Sequence, residues 1–248
     1  MEITKERKIS AGSYDLNKFL YGGYDKDIIT TIYGPAGSGK TNLCVLVAVS
    51  QAKKGKKIIY IDTEGGFSVD RVKQIAQDDW EKVLGNIILL KPTSFEEQEK
   101  SFEKLLKEIK SNEISLIIVD GMTMLYRLAM AEAREKKNID EIKEINSKLA
   151  KQLRILAEIA RNKNIPIIIT NQVYSEFQSE EDFKSGKEKT FNMVGGDLLK
   201  YWSKCLIELK NERGRRKLVL KKHRSLPEKE LEFEIVNSGI KKSFRIFG

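Results

Sequence analysis

Short apolar, β-branched runs alternate with helical patterns through the first two thirds of the chain. Ile28–Tyr33 (IITTIY) predicts a strand running into a glycine-rich turn, and a helix follows over about Lys40–Ala52. Lys57–Ile61 and Asn86–Leu90 predict two more strands, with Val69–Gln77 helical between them. Ser94 with Glu97 three residues later is a capping box, and Phe102, Leu105, Leu106 and Ile109 follow at helical spacing. Leu116–Val119 predicts a fourth strand. Ile139–Asn164 predicts a long charged helix with Ile142, Ile145, Leu149, Leu153, Leu156 and Ile159 on one stripe. Pro166 introduces the fifth strand, Ile167–Thr170. Short strands that are apolar throughout and separated by helices predict a parallel sheet covered on both faces. The last third differs: Cys205–Lys210, Lys217–Lys222, Leu231–Val236 and Ser243–Phe247 read as strands with no helix between them, antiparallel additions to one sheet edge. The class is α/β. With no repeat, no low-complexity tract and only four prolines to mark a linker, 1–248 reads as one domain with 1–26 a short lead-in.

Composition narrows the function classes. Forty per cent hydrophobic content supports a sizeable core, and the longest apolar run, Leu43–Val49, is seven residues, against the roughly 18 a membrane span needs. No apolar segment follows the charges of the first ten residues, as a secretory signal would require. Two cysteines, Cys44 and Cys205, lie far apart without a CxxC or Cys/His cluster, so a disulfide framework and a zinc site are not expected and a reducing cytosol is the natural compartment. One histidine, His223, leaves little for a histidine-based triad. The net charge of +9 is unevenly placed: Lys210, Arg213, Arg215, Arg216, Lys217, Lys221, Lys222 and Arg224 face Glu212 alone within fifteen residues, a local +7. Such a stretch suits a polyanion, nucleic acid above all, or is a solvated hairpin tip. Lys53, Lys54, Lys56 and Lys57 around Gly55 read as a solvated turn.

Gly34-Pro35-Ala36-Gly37-Ser38-Gly39-Lys40-Thr41 fits G-x-x-x-x-G-K-[ST], follows a predicted strand and opens a predicted helix on which Asn42 comes next. Glycines let backbone N–H groups wrap phosphates at the helix N-terminus, Lys40 reaches the terminal phosphates, and the Thr41 hydroxyl is placed to hold Mg²⁺. Asp120 ends the strand LIIVD at the sheet edge where ligands sit, a second candidate for the Mg²⁺ shell, though strands also end in Asp for turn reasons. Gly121 follows it, so the adjacent acidic pair of many ATPases is missing. Glu64, at the end of IIYIDTEGG, is the candidate to activate water, with Asp62 or a simple turn as competing explanations. Guanine specificity is not expected, because Asn162-Lys163-Asn164-Ile165 breaks the N-K-x-D pattern.

The order of these motifs, with ITNQV (Ile169–Val173) ending the fifth strand, resembles the RecA-type recombinase ATPases. The resemblance covers nearly the whole chain. It includes ISAGSYDLNKFLYGG (Ile9–Gly23), YIDTEGGF (Tyr60–Phe67), VDGMTMLYR (Val119–Arg127), VGGDLL (Val194–Leu199) and KHRSLPE (Lys222–Glu228), and points to the archaeal/eukaryotic branch, most closely its short archaeal paralogues. It implies a RecA-type P-loop core, bound ATP and Mg²⁺, and Gln172 as sensor of the γ-phosphate. It implies that Tyr126 and Arg127 begin one DNA-binding loop and that Tyr174–Met193 forms a second, whose aromatics Tyr174, Phe177, Phe183 and Phe191 either stack bases or pin the loop to the core. Glu180, Glu181 and Asp182 make that loop less basic than a strong DNA reader. Lys222 and Arg224 resemble a K-x-R finger that reaches a neighbouring subunit's γ-phosphate, so the basic stretch, with Arg213, Arg215, Arg216 and Lys217, serves DNA or a subunit interface.

Departures shape the implied function. Only 33 residues precede Gly34, too few for a helical DNA-binding domain of about 50; the helix-hairpin-helix domain and the docking linker of strand-exchange members are not expected. Those members have histidine five positions beyond the second glycine of the Gly-Gly pair, where this chain has Tyr201. The implied role is an ATP- and DNA-binding accessory protein of recombinational repair, a weak ATPase without strand exchange of its own. Its expected partners are single-stranded or branched DNA and a main recombinase of the RadA type; self-association is open, and no membrane is involved. A DNA-stimulated filament ATPase and a ring-forming signalling ATPase of the KaiC-like kind are the alternatives.

Overall fold

A computed structural model describes residues 7–175, 191–193, 195–212 and 214–243. The strands are β1 (Lys8–Ile9), β2 (Tyr24–Asp25), β3 (Ile29–Gly34), β4 (Lys57–Asp62), β5 (Ile87–Leu90), β6 (Ile114–Asp120), β7 (Ile167–Ser175), β8 (Phe191–Met193), β9 (Ser203–Glu212), β10 (Arg215–His223), β11 (Lys229–Val236) and β12 (Gly239–Lys242). The helices are α1 (Tyr14–Phe19), α2 (Lys40–Ala52), α3 (Val69–Ala76), α4 (Trp80–Gly85), α5 (Phe95–Ser111), α6 (Met124–Glu135), α7 (Ile139–Lys163) and α8 (Gly196–Trp202).

β1 and β2 form a small ribbon, and the main sheet runs β12-β11-β10-β9-β3-β7-β6-β4-β5, with β8 paired to β7. From β9 to β5 all neighbours are parallel. β10, β11 and β12 are antiparallel, as the C-terminal pattern predicts, but β9 itself runs parallel to β3. The short α8 returns the chain for that crossover. The last strand lies earlier than its predicted span: Val236 pairs with Gly239, so Asn237 and Ser238 make a two-residue hairpin and the strand must begin at once. Residues 244–247 of the predicted strand lie outside the described residues.

Alternation along each buried strand divides the core into two layers. Ile58, Tyr60, Leu116, Ile118 and Ile168 face the layer shared with α2, α3 and α4. Ile59, Ile61, Ile117, Val119, Ile167 and Ile169 face the layer covered by α5, α6, α7 and α8. The predicted stripe of α7 is buried from Ile145 to Ile159, with Ile142 half-buried. At α5 the Ser94 hydroxyl accepts from the Glu97 N–H at 3.2 Å, and the Glu97 carboxylate returns to Thr93 N–H at 2.7 Å, one residue before the expected partner. Cys44 on α2 and Cys205 on β9 are buried and unbridged.

Two further differences bear on function. Tyr126 and Arg127 lie on α6, not at the start of a loop. Met122–Lys137 contains no glycine or proline, is rich in good helix formers, and buries Leu125, Met130 and Ala133 on one face. Likewise, Tyr174–Met193 is not loop throughout: β7 continues to Ser175, and β8 pairs with its end, Val173 opposite Met193. Residues 176–190, with Phe177, Phe183 and the acidic Glu180–Asp182, lie outside the described residues. Among the described residues no helix is long and apolar enough to cross a membrane.

Candidate functional site

The C-terminal ends of β3, β4, β6 and β7 gather the predicted chemistry. Register places Gly34 opposite Gln172 and Asp62 opposite Asp120. A Cβ on Gly34 would lie 2.4 Å from the Leu209 carbonyl on β9, so the turn into the candidate phosphate loop begins where only glycine fits. The α2 N-terminus opens on Gly39 in the left-handed region, with no side-chain cap for its N–H groups. Lys40 is 6% exposed and its Nζ donates to the Gly34 and Pro35 carbonyls, both at 3.0 Å. Burial lowers its pKa, while the carboxylates of Glu64 and Asp120 work in the opposite sense. Ser38 Oγ is buried with no hydrogen-bond partner.

Asp120 is fully buried. Its Oδ2 accepts from Tyr60 Oη at 2.8 Å and its Oδ1 from Thr170 Oγ1 at 2.6 Å, and the Thr41 side chain also hydrogen-bonds to it. Burial raises its pKa against the pull of those three donors. Asp62 is turned to the backbone instead, accepting from Gly66 N–H at 3.1 Å and Phe67 N–H at 3.0 Å, and so shapes the turn that carries Glu64. Thr63 Oγ1 fixes the same turn to β6 through the Gly121 carbonyl at 2.7 Å. Glu64 is half-buried, and its Oε2 accepts from Gln172 Nε2 at 3.2 Å. Burial raises its pKa, partly offset by that bond.

Gly121 explains the missing acidic pair. Its φ is +89°, and a Cβ there would lie 2.4 Å from Thr63 Oγ1 and 2.7 Å from Glu64 Cγ. The space a neighbouring acid would fill is taken by Glu64, delivered from the adjacent strand.

The donor set fits a triphosphate with a divalent cation. A buried hydroxyl without partner, a buried ammonium bonded to carbonyls, and a threonine hydroxyl on a buried carboxylate are groups that phosphate oxygens and a hard cation satisfy. No group of three or more His, Cys, Asp and Glu side chains gathers among the described residues, so any metal here would take ligands beyond such a cluster. The sequence motifs do not single out Tyr60 and Thr170; Tyr60 interrupts the apolar run Ile58–Ile61 and Thr170 ends the run Ile167–Ile169, and that break in an apolar run is the signal.

The other candidates sit elsewhere. Tyr126 Oη donates to Asn146 Oδ1 at 2.8 Å and its ring stands edge-on to Phe95, while Arg127 is exposed. On the hairpin Arg213 lies outside the described residues, and Arg215 is exposed. The local positive charge is partly matched by β11 and the residue before it, which the count over 210–224 leaves out: Lys217 pairs with Glu230 at 2.8 Å and Lys221 with Glu228. Lys222 Nζ donates to the Lys200 and Ser203 carbonyls, at 2.8 and 2.9 Å. The Arg224 guanidinium holds Asp27 through two 2.9 Å bonds and reaches Asp25 at 3.2 Å. His223 pairs with Cys205, itself level with Thr30 near the start of β3, so both cations lie toward the sheet edge opposite the phosphate loop and are engaged within the chain.

The Rad51 family matches residues 4–243. The DNA repair and recombination protein RadB of Methanobrevibacter smithii is 40% identical over 232 residues, 91% of this chain and 92% of that one. The RadB proteins of Methanococcus maripaludis and Methanocaldococcus jannaschii are 42% and 40% identical, each over 91% of this chain and over 96% and 98% of their own lengths. Matched over residues 4–243, and 40–42% identical to these relatives across 91% of its length, the chain belongs to the Rad51 family.

Proposed function

We propose that this chain is a Mg²⁺·ATP- and DNA-binding accessory protein of recombinational DNA repair, a slow ATPase that does not exchange strands by itself. The observation that carries the reading is the convergence of Lys40, Asp120, Glu64 and Gln172 at one sheet edge. The relatives' name, DNA repair and recombination protein, supports the pathway. Residues 34–42 would hold the phosphates, with Thr41 and Asp120 toward the cation; when bound, Mg²⁺ supplies positive charge against the phosphate oxygens. Glu64, raised in basicity by burial, is the group suited to take a proton from water, and Gln172 orients its Oε2.

Tyr201, 71% exposed at the position where strand-exchange members have histidine, supports the accessory role, with a main recombinase of the RadA type as the partner. The intact Glu64–Gln172 contact favours a second reading, a DNA-stimulated filament ATPase. Steady-state ATP turnover at low salt, with and without single-stranded DNA, separates them. Slow turnover indifferent to DNA is expected; stimulation of tenfold or more would replace the accessory reading with the filament one.

A further inference from the structure

Away from the phosphate loop, a cavity of about 670 Å³ opens between α1, the turn after it, and the ends of β11 and β12. That volume falls in the range of roughly 300–1,000 Å³ typical of ligand sites. Two tyrosines stand at its mouth, Tyr14 at 79% exposure and Tyr21 at 65%. Tyr21 has φ +52°, a left-handed conformation that a bulky residue adopts only when the surroundings impose it. The result is an aromatic ring turned to solvent, where packing gains little from it.

Lys229 completes the mouth. Its Nζ lies 3.9 Å from the Tyr21 ring centroid and 5.2 Å from that of Phe19. Burial and the neighbouring Lys8 hold its ammonium below the ordinary lysine range. Lys18 and Lys242 line the same cavity, and neither they nor Lys229 has a carboxylate partner among the described residues. The one acid present, Asp15, accepts the Lys242 backbone N–H at 2.7 Å. The surface therefore offers two ring faces interleaved with three cations unmatched by acid. A polyanion built of flat rings answers both features, whereas an acidic peptide answers only the charge.

We propose that this cavity is a binding site for single-stranded nucleic acid, with bases stacked on Tyr14 and Tyr21 and phosphates held by Lys18, Lys229 and Lys242. The proposal rests on the reading of the chain as a DNA-binding protein but uses none of the residues of the phosphate loop or the β9–β10 hairpin. The test is fluorescence anisotropy of a labelled oligothymidylate across a salt series, with the full chain. Tyr14→Ala with Tyr21→Asn should weaken binding at least tenfold, asparagine being chosen because it tolerates the left-handed conformation. Tyr14→Phe with Tyr21→Phe should leave affinity unchanged. Lys18→Gln, Lys229→Gln and Lys242→Gln together should flatten the slope of log affinity against log salt by about 2. Unchanged affinity and slope in the Ala/Asn and Gln variants, with a wild type that binds, would overturn this site and leave the DNA-binding reading standing; a wild type that binds no oligonucleotide would remove both. Equal loss in the Phe pair would overturn stacking. A polyglutamate peptide competing as well as the oligonucleotide would move the site to acidic peptides.

Discussion

Gly121 and Glu64 share one small volume, and each sets what the other can be. Gly121→Ala must displace the Thr63–Glu64 turn or the end of β6, and it adds the strain of a side chain at φ +89°. The expected outcome is a stability loss of about 2–3 kcal/mol, read by urea unfolding, with ATP turnover reduced further than nucleotide affinity. Wild-type stability and turnover in that variant would mean the turn yields freely and Glu64 is not held by it. Lys40→Ala addresses the phosphate loop alone. ATP affinity measured by calorimetry should fall at least a hundredfold, because the buried ammonium is the charge nearest to the loop's hydroxyls and carbonyls. Unchanged affinity would remove the phosphate-loop assignment.

At the scale of elements, the small β1–β2 ribbon is tied to the sheet through Asp25. Its side chain is 4% exposed and meets His223 Nε2 at 3.1 Å, Arg224 Nε at 3.2 Å and Lys8 Nζ at 3.5 Å. Burial alone would raise the carboxyl, but His223, Lys8 and Arg224 outweigh it and hold it below the ordinary aspartate range. A depressed folded-state pKa contributes stability that is present above the unfolded value of about 4 and is lost as pH falls through the folded one. Asp25→Asn should therefore lower stability at pH 7 by about 2 kcal/mol and make the acid-side decline shallower than in the wild type, measured by urea unfolding at a series of pH values. A decline of equal steepness would assign the acid sensitivity to other carboxylates.

The same scale shows how much of the molecule was legible in sequence. The five parallel strands of the first two thirds and α2, α5 and α7 carry long periodic patterns or caps, and their positions follow. That residues 34–41, Asp120 and Glu64 meet at one end of the sheet was legible because they punctuate strand ends. What escaped was written in tertiary terms. α6 hides in a stretch where a family pattern suggests a loop, β9 is parallel because of where α8 returns the chain, and the glutamates that offset the basic hairpin, Glu228 and Glu230, lie beyond it in the chain. Tyr60 and Thr170 become site residues only when β4, β6 and β7 are set side by side.

For the whole molecule, the basic hairpin is a smaller electrostatic object than its local sequence charge. With Lys217 and Lys221 paired to Glu230 and Glu228, and Lys222 and Arg224 engaged toward the opposite sheet edge, Arg215 and Arg216 are the described arginines of the hairpin left to act on a distant polyanion. Arg215→Ala with Arg216→Ala should change the salt slope of DNA binding by no more than about 2, since each phosphate that a side chain neutralises adds roughly 0.7 to 0.9 to that slope. A larger change would mean that the paired lysines let go of their glutamates when DNA arrives.

The burial of both cysteines has a practical consequence. Burial pushes the Cys44 thiol well above its ordinary range and that of Cys205 up to about 12, so the folded protein shows almost no thiolate to an alkylating reagent. A cysteine introduced on the surface can then carry a dye or spin label against a silent background. Cys44 serves as a clock: it lies on α2 one turn beyond Lys40, and its slow alkylation times the opening of that helix. A nucleotide that binds only the closed form must lengthen that time by the factor 1 + L/Kd, where L is the free nucleotide concentration, so the delay goes on growing after the site is nearly full.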